Sequence, residues 1–290
     1  MVTVLDGGMS NALEDRGHDL SDELWTARLL RDAPEEIAAV HRAYYDAGAR
    51  VATTASYQAS VGGFVSQGMS RPEAESLITR SVTIAREVRD SLAGDGVRRQ
   101  VAASVGPYGA VLADGSEYQG RYGLSASALR DFHAPRIELL ASAGPDLLAV
   151  ETIPDLDEAM VIVQILSELG LPAWLSFSVA GSATRAGQPL ADAFAVTASA
   201  PSVFAVGVNC CAPEDVAAAV SLAVAVTGKP AVAYPNSGEG WDASSRTWAG
   251  GSSYDVGLAA GWVAVGASYV GGCCRVGPGT IAALAETVSV

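Results

Sequence analysis

The chain has 290 residues, of which 49% are hydrophobic and 17% charged, and its formal net charge is -14. That composition supplies a large core and excludes disorder over most of the length. The acidity excludes binding to nucleic acid or to an anionic membrane by general electrostatics.

The N-terminal segment MVTVLDGGMS has no basic region and no long apolar stretch, so no signal peptide is expected. The first strand pattern covers residues 2–5 and ends in Asp6-Gly7-Gly8. A helix is predicted over 34–47, with Glu35 and Glu36 in its first turn, where the helix dipole favours acids. A strand over 50–54 runs into Ala55-Ser56-Tyr57-Gln58, and a helix over 71–92 carries Pro72 near its start. Strand 100–105 ends in Gly106-Pro107-Tyr108, and helix 125–143 follows. Strand 147–150 ends in Glu151-Thr152, and helix 155–169 follows. Strand 172–178 precedes a short helix over 190–200. Strand 203–208 ends in Asn209-Cys210 and leads to helix 213–226. Strand 230–234 ends in Pro235-Asn236-Ser237-Gly238, and helix 254–265 follows. Residues 269–271 make the last strand and 280–288 the last helix.

Apolar strands alternating with helices argue for a parallel sheet covered on both faces. Eight such units without a dividing linker predict one α/β domain over 1–290, a (β/α)8 TIM-type barrel. An open doubly wound sheet is the structural alternative. Its dinucleotide form would want G-x-G-x-x-G after the first strand, and Asp6-Gly7-Gly8-Met9-Ser10 does not supply it. Gly, Pro or charges break the Val- and Ala-rich runs short of a membrane span. The longest irregular stretches follow strands one, three and seven. Two of these carry Tyr108, Tyr118 and Tyr122, or Trp241 and Trp248.

The only lysine is Lys229 and the only histidines are His18, His41 and His133. Lys229 sits at the wrong end of its strand for a Schiff-base lysine, and no His lies at a strand end to serve a Ser nucleophile. The cysteines form two adjacent pairs, Cys210-Cys211 and Cys273-Cys274. Clustered cysteines in a cytoplasmic protein, the location expected here, point to metal or redox chemistry. Cys210, Cys273 and Cys274 fall at the C-terminal ends of strands six and eight, which share one barrel mouth. Three sulfur ligands suit Zn²⁺ and leave one position open, the pattern of a catalytic site. Gly271-Gly272 is read as a tight turn that lets adjacent cysteines reach one ion. The alternatives are buried apolar cysteines, a closed four-thiolate structural site that uses Cys211, and an oxidisable Cys273-Cys274 pair.

Seven segments carry a resemblance. They are Leu5-Asp6-Gly7-Gly8, Thr53-Thr54-Ala55-Ser56-Tyr57-Gln58, Gly106-Pro107-Tyr108-Gly109-Ala110, Gly115-Ser116-Glu117-Tyr118, Glu151-Thr152-Ile153-Pro154, Gly207-Val208-Asn209-Cys210 and Gly271-Gly272-Cys273-Cys274. In these the chain resembles the homocysteine S-methyltransferases, most closely the S-methylmethionine-using branch. The resemblance implies zinc on Cys210, Cys273 and Cys274, homocysteine as methyl acceptor and methionine as product. It implies S-methylmethionine or S-adenosylmethionine as the sulfonium donor. It assigns Asp6 and Glu151 to the acceptor ammonium, with Gly7 and Gly8 allowing close backbone approach. Thr54 and Gln58 are candidate polar contacts, and Asn209 either contacts substrate or orders the Cys210 loop. Tyr57, Tyr108, Tyr118, Tyr122, Trp241 and Trp248 are candidate faces for the cationic donor. The segment Val179–Arg185 departs from the family pattern. A chain that stops soon after its eighth unit is expected to be a monomer or weak homo-oligomer. A barrel acting on another thiol, or a non-catalytic zinc scaffold, is the competing reading.

Overall fold

The computed structural model describes residues 2–20, 26–242 and 247–288, without the side chains of 240–249. Eight parallel strands follow one another around a ring: β1 (Thr3–Val4), β2 (Val51–Thr53), β3 (Gln100–Val105), β4 (Leu147–Ile153), β5 (Ala173–Phe177), β6 (Val203–Asn209), β7 (Ala231–Tyr234) and β8 (Ala267–Val270). β1 pairs with β8, and a parallel bridge between Leu5 and Val51 joins β1 to β2 and closes the barrel. Eight helices cover the outside: α1 (Pro34–Asp46), α2 (Arg71–Ser91), α3 (Ala126–Ser142), α4 (Leu156–Leu169), α5 (Leu190–Ala198), α6 (Val216–Thr227), α7 (Leu258–Ala264) and α8 (Pro278–Val288). The expected (β/α)8 architecture is therefore the observed one.

Strand periodicity decides what faces the axis. Ala102, Leu147, Ala149, Trp174, Ala205 and Val232 form an inner cluster, separate from the larger apolar layer between strands and helices. The same parity carries upward to Ser104, Glu151, Ser176, Asn209 and Tyr234. The barrel axis is thus apolar below and polar at the C-terminal mouth.

Local signals set the helix starts. Ser70 and Glu73 form a reciprocal capping box on α2, and the Ser125 and Asp155 side chains cap α3 and α4. Some boundaries differ from expectation. β4 runs on to Ile153, which places Glu151 and Thr152 inside the strand. Residues 213–215 form a 3-10 turn before α6. Helix α7 begins only at Leu258, because Asp255 Oδ1 accepts from Gly257 N at 2.8 Å and holds a turn there. Short helices at Met9–Glu14, Thr26–Asp32 and Val61–Ser66 carry too few turns to show a period in the sequence. Among the described residues no helix is long and apolar enough to cross a membrane.

Candidate metal centre and substrate site

Cys210 directly follows β6, and Cys273 and Cys274 follow β8. Their three sulfurs lie within 4.8 Å of one another, and Cys210 Sγ is 3.8 Å from Cys274 Sγ. Two ligands at about 2.3 Å from a tetrahedral zinc would stand about 3.8 Å apart. The donor set and its spacing therefore fit a soft tetrahedral cation. Cys211 is absent from this cluster and is buried in the apolar layer behind it.

The loop after β7 holds the cluster in register. Cys210 N donates to Tyr234 O at 3.3 Å and Cys273 N to Pro235 O at 2.8 Å. Cys274 N donates to Asn236 Oδ1 at 3.1 Å, and Ser237 N to Cys274 O at 2.9 Å. Cys210 has φ 49°, and Thr152 at the end of β4 has φ 61°. Such left-handed conformations cost non-glycine residues about 1–3 kcal/mol and persist only where the surroundings impose them. The structure revises the reading of Gly271-Gly272 as a tight turn. Neither has positive φ; Arg275 takes that conformation, with φ 65°. The two glycines serve close approach instead, since a Cβ on Gly271 would lie 2.6 Å from Leu5 Cβ.

Electrostatically the three sulfurs act as one group. The thiols of Cys273 and then Cys274 hold Cys210 well below the usual thiol range and are themselves pushed up. Burial pushes the Cys211 thiol up as well. A cation at the cluster would complete the deprotonation that proximity begins.

Two acids stand beside the cluster. Asp6 Oδ2 accepts from Thr53 N at 2.6 Å and Oδ1 from Thr53 Oγ1 at 2.9 Å. Glu151 Oε1 accepts a short bond from Ser104 Oγ. Burial pushes Asp6 up to about 7, with the nearby Glu151 adding to it. Burial likewise pushes Glu151 up to about 7, against hydrogen bonds from Ser104 and Tyr234. Two carboxyl groups that burial raises are suited to receiving a cation. Gly7 and Gly8 approach this chain's own β8 loop: a Cβ on Gly7 would lie 2.1 Å from Val276 O, and one on Gly8 2.7 Å from Cys273 O.

The remaining expected contacts divide. Asn209 is fully buried; its Oδ1 accepts from Thr152 N at 2.7 Å and Ser176 Oγ at 2.8 Å, and its Nδ2 donates to Thr152 Oγ1 at 2.8 Å. Its partners therefore lie on β4 and β5 and not in the Cys210 loop. Thr54 Oγ1 accepts from Ser104 N at 3.0 Å and pairs with Ser56 Oγ at 2.7 Å. Gln58 is buried with its Nε2 unpartnered among the described residues.

The loop after β3 forms the facing wall. Tyr118 Oη lies 3.1 Å from Cys210 Sγ, and the Arg185 guanidinium sits 5.7 Å from the Tyr118 ring centroid. The segment that departs from the family pattern thus reaches this wall. Tyr108 and Tyr122 pack against each other at 5.3 Å between centroids. Glu158 fixes the loop from behind, accepting from Tyr108 N at 2.6 Å and bonding His133 Nε2 at 2.8 Å. The buried Arg136 ties it to the β2 loop by donating to Gly106 O at 3.1 Å, Ser56 O at 3.1 Å and Tyr57 O at 2.5 Å. The side chains of Trp241 and Trp248 lie outside the described residues.

Sequence reasoning missed Ser104, Tyr234, Asn236 and Glu117. Ser104 and Tyr234 share the inward parity of Glu151, which was the available signal. Asn236 and Glu117 lie in loops, where no period operates.

Comparison with known proteins gives one consistent result. The family model described as homocysteine S-methyltransferase matches residues 3–288. The chain is 46% identical to homocysteine S-methyltransferase 4 of Zea mays, over 98% of this chain and 89% of that protein. It is 44% identical to the homocysteine S-methyltransferase of Escherichia coli, over 98% and 94%. The metallated crystal form of the Escherichia coli homocysteine methyltransferase MmuM superposes with a TM-score of 0.89 at 41% identity, covering 98% of this chain and 96% of that one.

Proposed function

The chain belongs to the homocysteine S-methyltransferase family and is a methyltransferase, and on that premise we propose that it moves a methyl group from S-methylmethionine, or S-adenosylmethionine, to homocysteine with the help of zinc. The observation that carries the reading is the convergence of three cysteine sulfurs within 4.8 Å at the same mouth as Asp6 and Glu151.

The chemistry needs a thiolate nucleophile. A free thiol of pKa about 8.5 is mostly protonated at neutral pH. Zinc held by Cys210, Cys273 and Cys274 would supply the Lewis acidity that keeps the acceptor sulfur deprotonated. Asp6 and Glu151 orient that acceptor by taking its ammonium group. A cation placed against both offsets the cost of burying their charge and returns them to the ionised state. The acceptor sulfur then attacks the sulfonium methyl carbon in line. A new S–CH₃ bond forms as the donor's C–S bond breaks, and the bonding pair stays on the donor sulfur, which becomes a neutral thioether. The acceptor's thiol proton has already gone to solvent. No protein base acts on the transferred carbon, in keeping with a mouth built without Lys or His. The walls supply position, and position alone removes a large part of the barrier of a two-substrate displacement.

The test is methionine formation from homocysteine with each sulfonium donor, before and after zinc removal. Zinc-dependent product is expected, with the faster donor naming the branch. A reduced, fully zinc-loaded protein that makes no methionine from either donor would remove this reading.

A further inference from the structure

Glu117 stands apart from the other acids of the mouth. It is 4% exposed, and its Oε2 has no hydrogen-bond partner among the described residues. Asp6 and Glu151 are equally buried, but each accepts from neighbouring hydroxyl or amide groups. Glu117 lies in the turn Ser116–Tyr118, next to the tyrosine whose hydroxyl touches Cys210 Sγ at 3.1 Å. Its carboxyl group is close enough to act electrostatically on Tyr57, Tyr122 and Cys210. The burial is built in. A Cβ on Gly109 would lie 2.5 Å from Glu117 N, so only glycine there lets the turn seat against the start of the loop. A buried carboxylate oxygen left without a partner is costly, and such a cost is kept where a ligand removes it.

We propose that Glu117 is the counterion of the donor's sulfonium centre, and so sets the preference of this mouth for a positively charged methyl donor. The inference rests on the sulfonium-donor reading above. Three features favour a sulfonium over an ammonium at this carboxylate. Its neighbours are tyrosine rings, which suit a cation without N–H groups. The methyl to be transferred must lie near the acceptor sulfur at the cysteine cluster, and Glu117 is on the Cys210 side. Asp6 and Glu151 already offer a separate place for an ammonium. The donor sulfur keeps much of its positive charge at an in-line transition state, so Glu117 stabilises the bound donor and the transition state to a similar degree. Its loss therefore raises KM for the donor while leaving kcat nearly unchanged.

The experiment uses the zinc-loaded full chain and measures donor kinetics with S-methylmethionine. It also measures competitive inhibition by 2-amino-5-methylhexanoic acid, which has a CH in place of the sulfonium sulfur and the same ammonium and carboxylate. For Glu117→Gln, donor KM is expected to rise at least tenfold, with kcat within threefold and homocysteine KM within twofold. The preference for S-methylmethionine over the neutral analogue should fall at least tenfold. An unchanged preference overturns the proposal, as does an equal loss of affinity for both compounds. Should Glu117→Gln not fold, Glu117→Asp retains the charge and shortens its reach: a preference reduced at least threefold supports the proposal, and an unchanged one overturns it. A wild-type protein that makes no methionine defeats the functional reading first. The preference is then measured as equilibrium binding of S-methylmethionine and the neutral analogue, where the same thresholds apply.

Discussion

At the mouth where the strands begin, Lys229 Nζ donates to the carbonyls of Thr197, Ala200 and Val203, each at 2.6 Å. At the same end of the barrel, Asp146 Oδ2 accepts from Arg89 Nη1 at 2.6 Å and from Val101 N at 2.7 Å. At the opposite mouth the charged and polar groups are left wanting. Glu117 Oε2 has no partner among the described residues, Asp6 and Glu151 are both pushed up to about 7, and Cys210 and Thr152 sit in left-handed backbone. One end of the barrel spends its charges on holding the chain together. The other end withholds satisfaction from its charges, which a ligand can then provide. This division between a stabilising face and a reactive one is general for the fold, and here it can be read residue by residue.

The largest effect that tests this contrast is at the cysteines. Cys210→Ala should lower methionine formation by at least ~10³-fold, since even groups behind a metal ligand are worth 10–100-fold. It should also lose most of its zinc on dialysis, as measured by metal analysis. Cys211→Ala should keep its full zinc load, and failure to do so would bring back the four-thiolate site. Next come the acids. Glu151→Gln and Asp6→Asn should each reduce kcat/KM for homocysteine by about a hundredfold, because a charge-assisted hydrogen bond is worth roughly 1.5–3 kcal/mol. An unchanged kcat/KM would show that the ammonium is held elsewhere. Asn236→Ala removes the acceptor for Cys274 N and should weaken zinc affinity by about tenfold, read in a competition titration with a chelator. The smallest effect belongs to the opposite mouth. Lys229→Met should lower stability by about 2 kcal/mol, or Tm by roughly 5 °C, with kcat unchanged. A loss of activity there without a loss of stability would break the contrast.

How much of this was legible in the sequence depended on periodicity. Strand β3 was predicted with its observed bounds, because an apolar run between a helix and a Gly-Pro turn leaves little freedom. Strand β4 was predicted three residues short, because Glu151 and Thr152 look like a turn when their barrel surroundings are unknown. The cysteine cluster was legible because cysteines are rare and fell at two strand ends. The partners of the acids were not. Ser104 reaches Glu151 only because β3 and β4 pair in one register, with Ser104 opposite Ala149. Asn236 reaches Cys274 only because the loops after β7 and β8 meet at the rim.

The sequence by itself determined the barrel and the mouth at which three of its cysteines meet, since alternation, strand count and residue type are local properties of the chain. Only the tertiary structure decided which polar atoms are satisfied. It bound Asn209 to Thr152 and Ser176, and left one buried oxygen of Glu117 without a partner among the described residues. Satisfaction of a buried group depends on atoms brought from distant parts of the chain, and a one-dimensional pattern holds no distances between them.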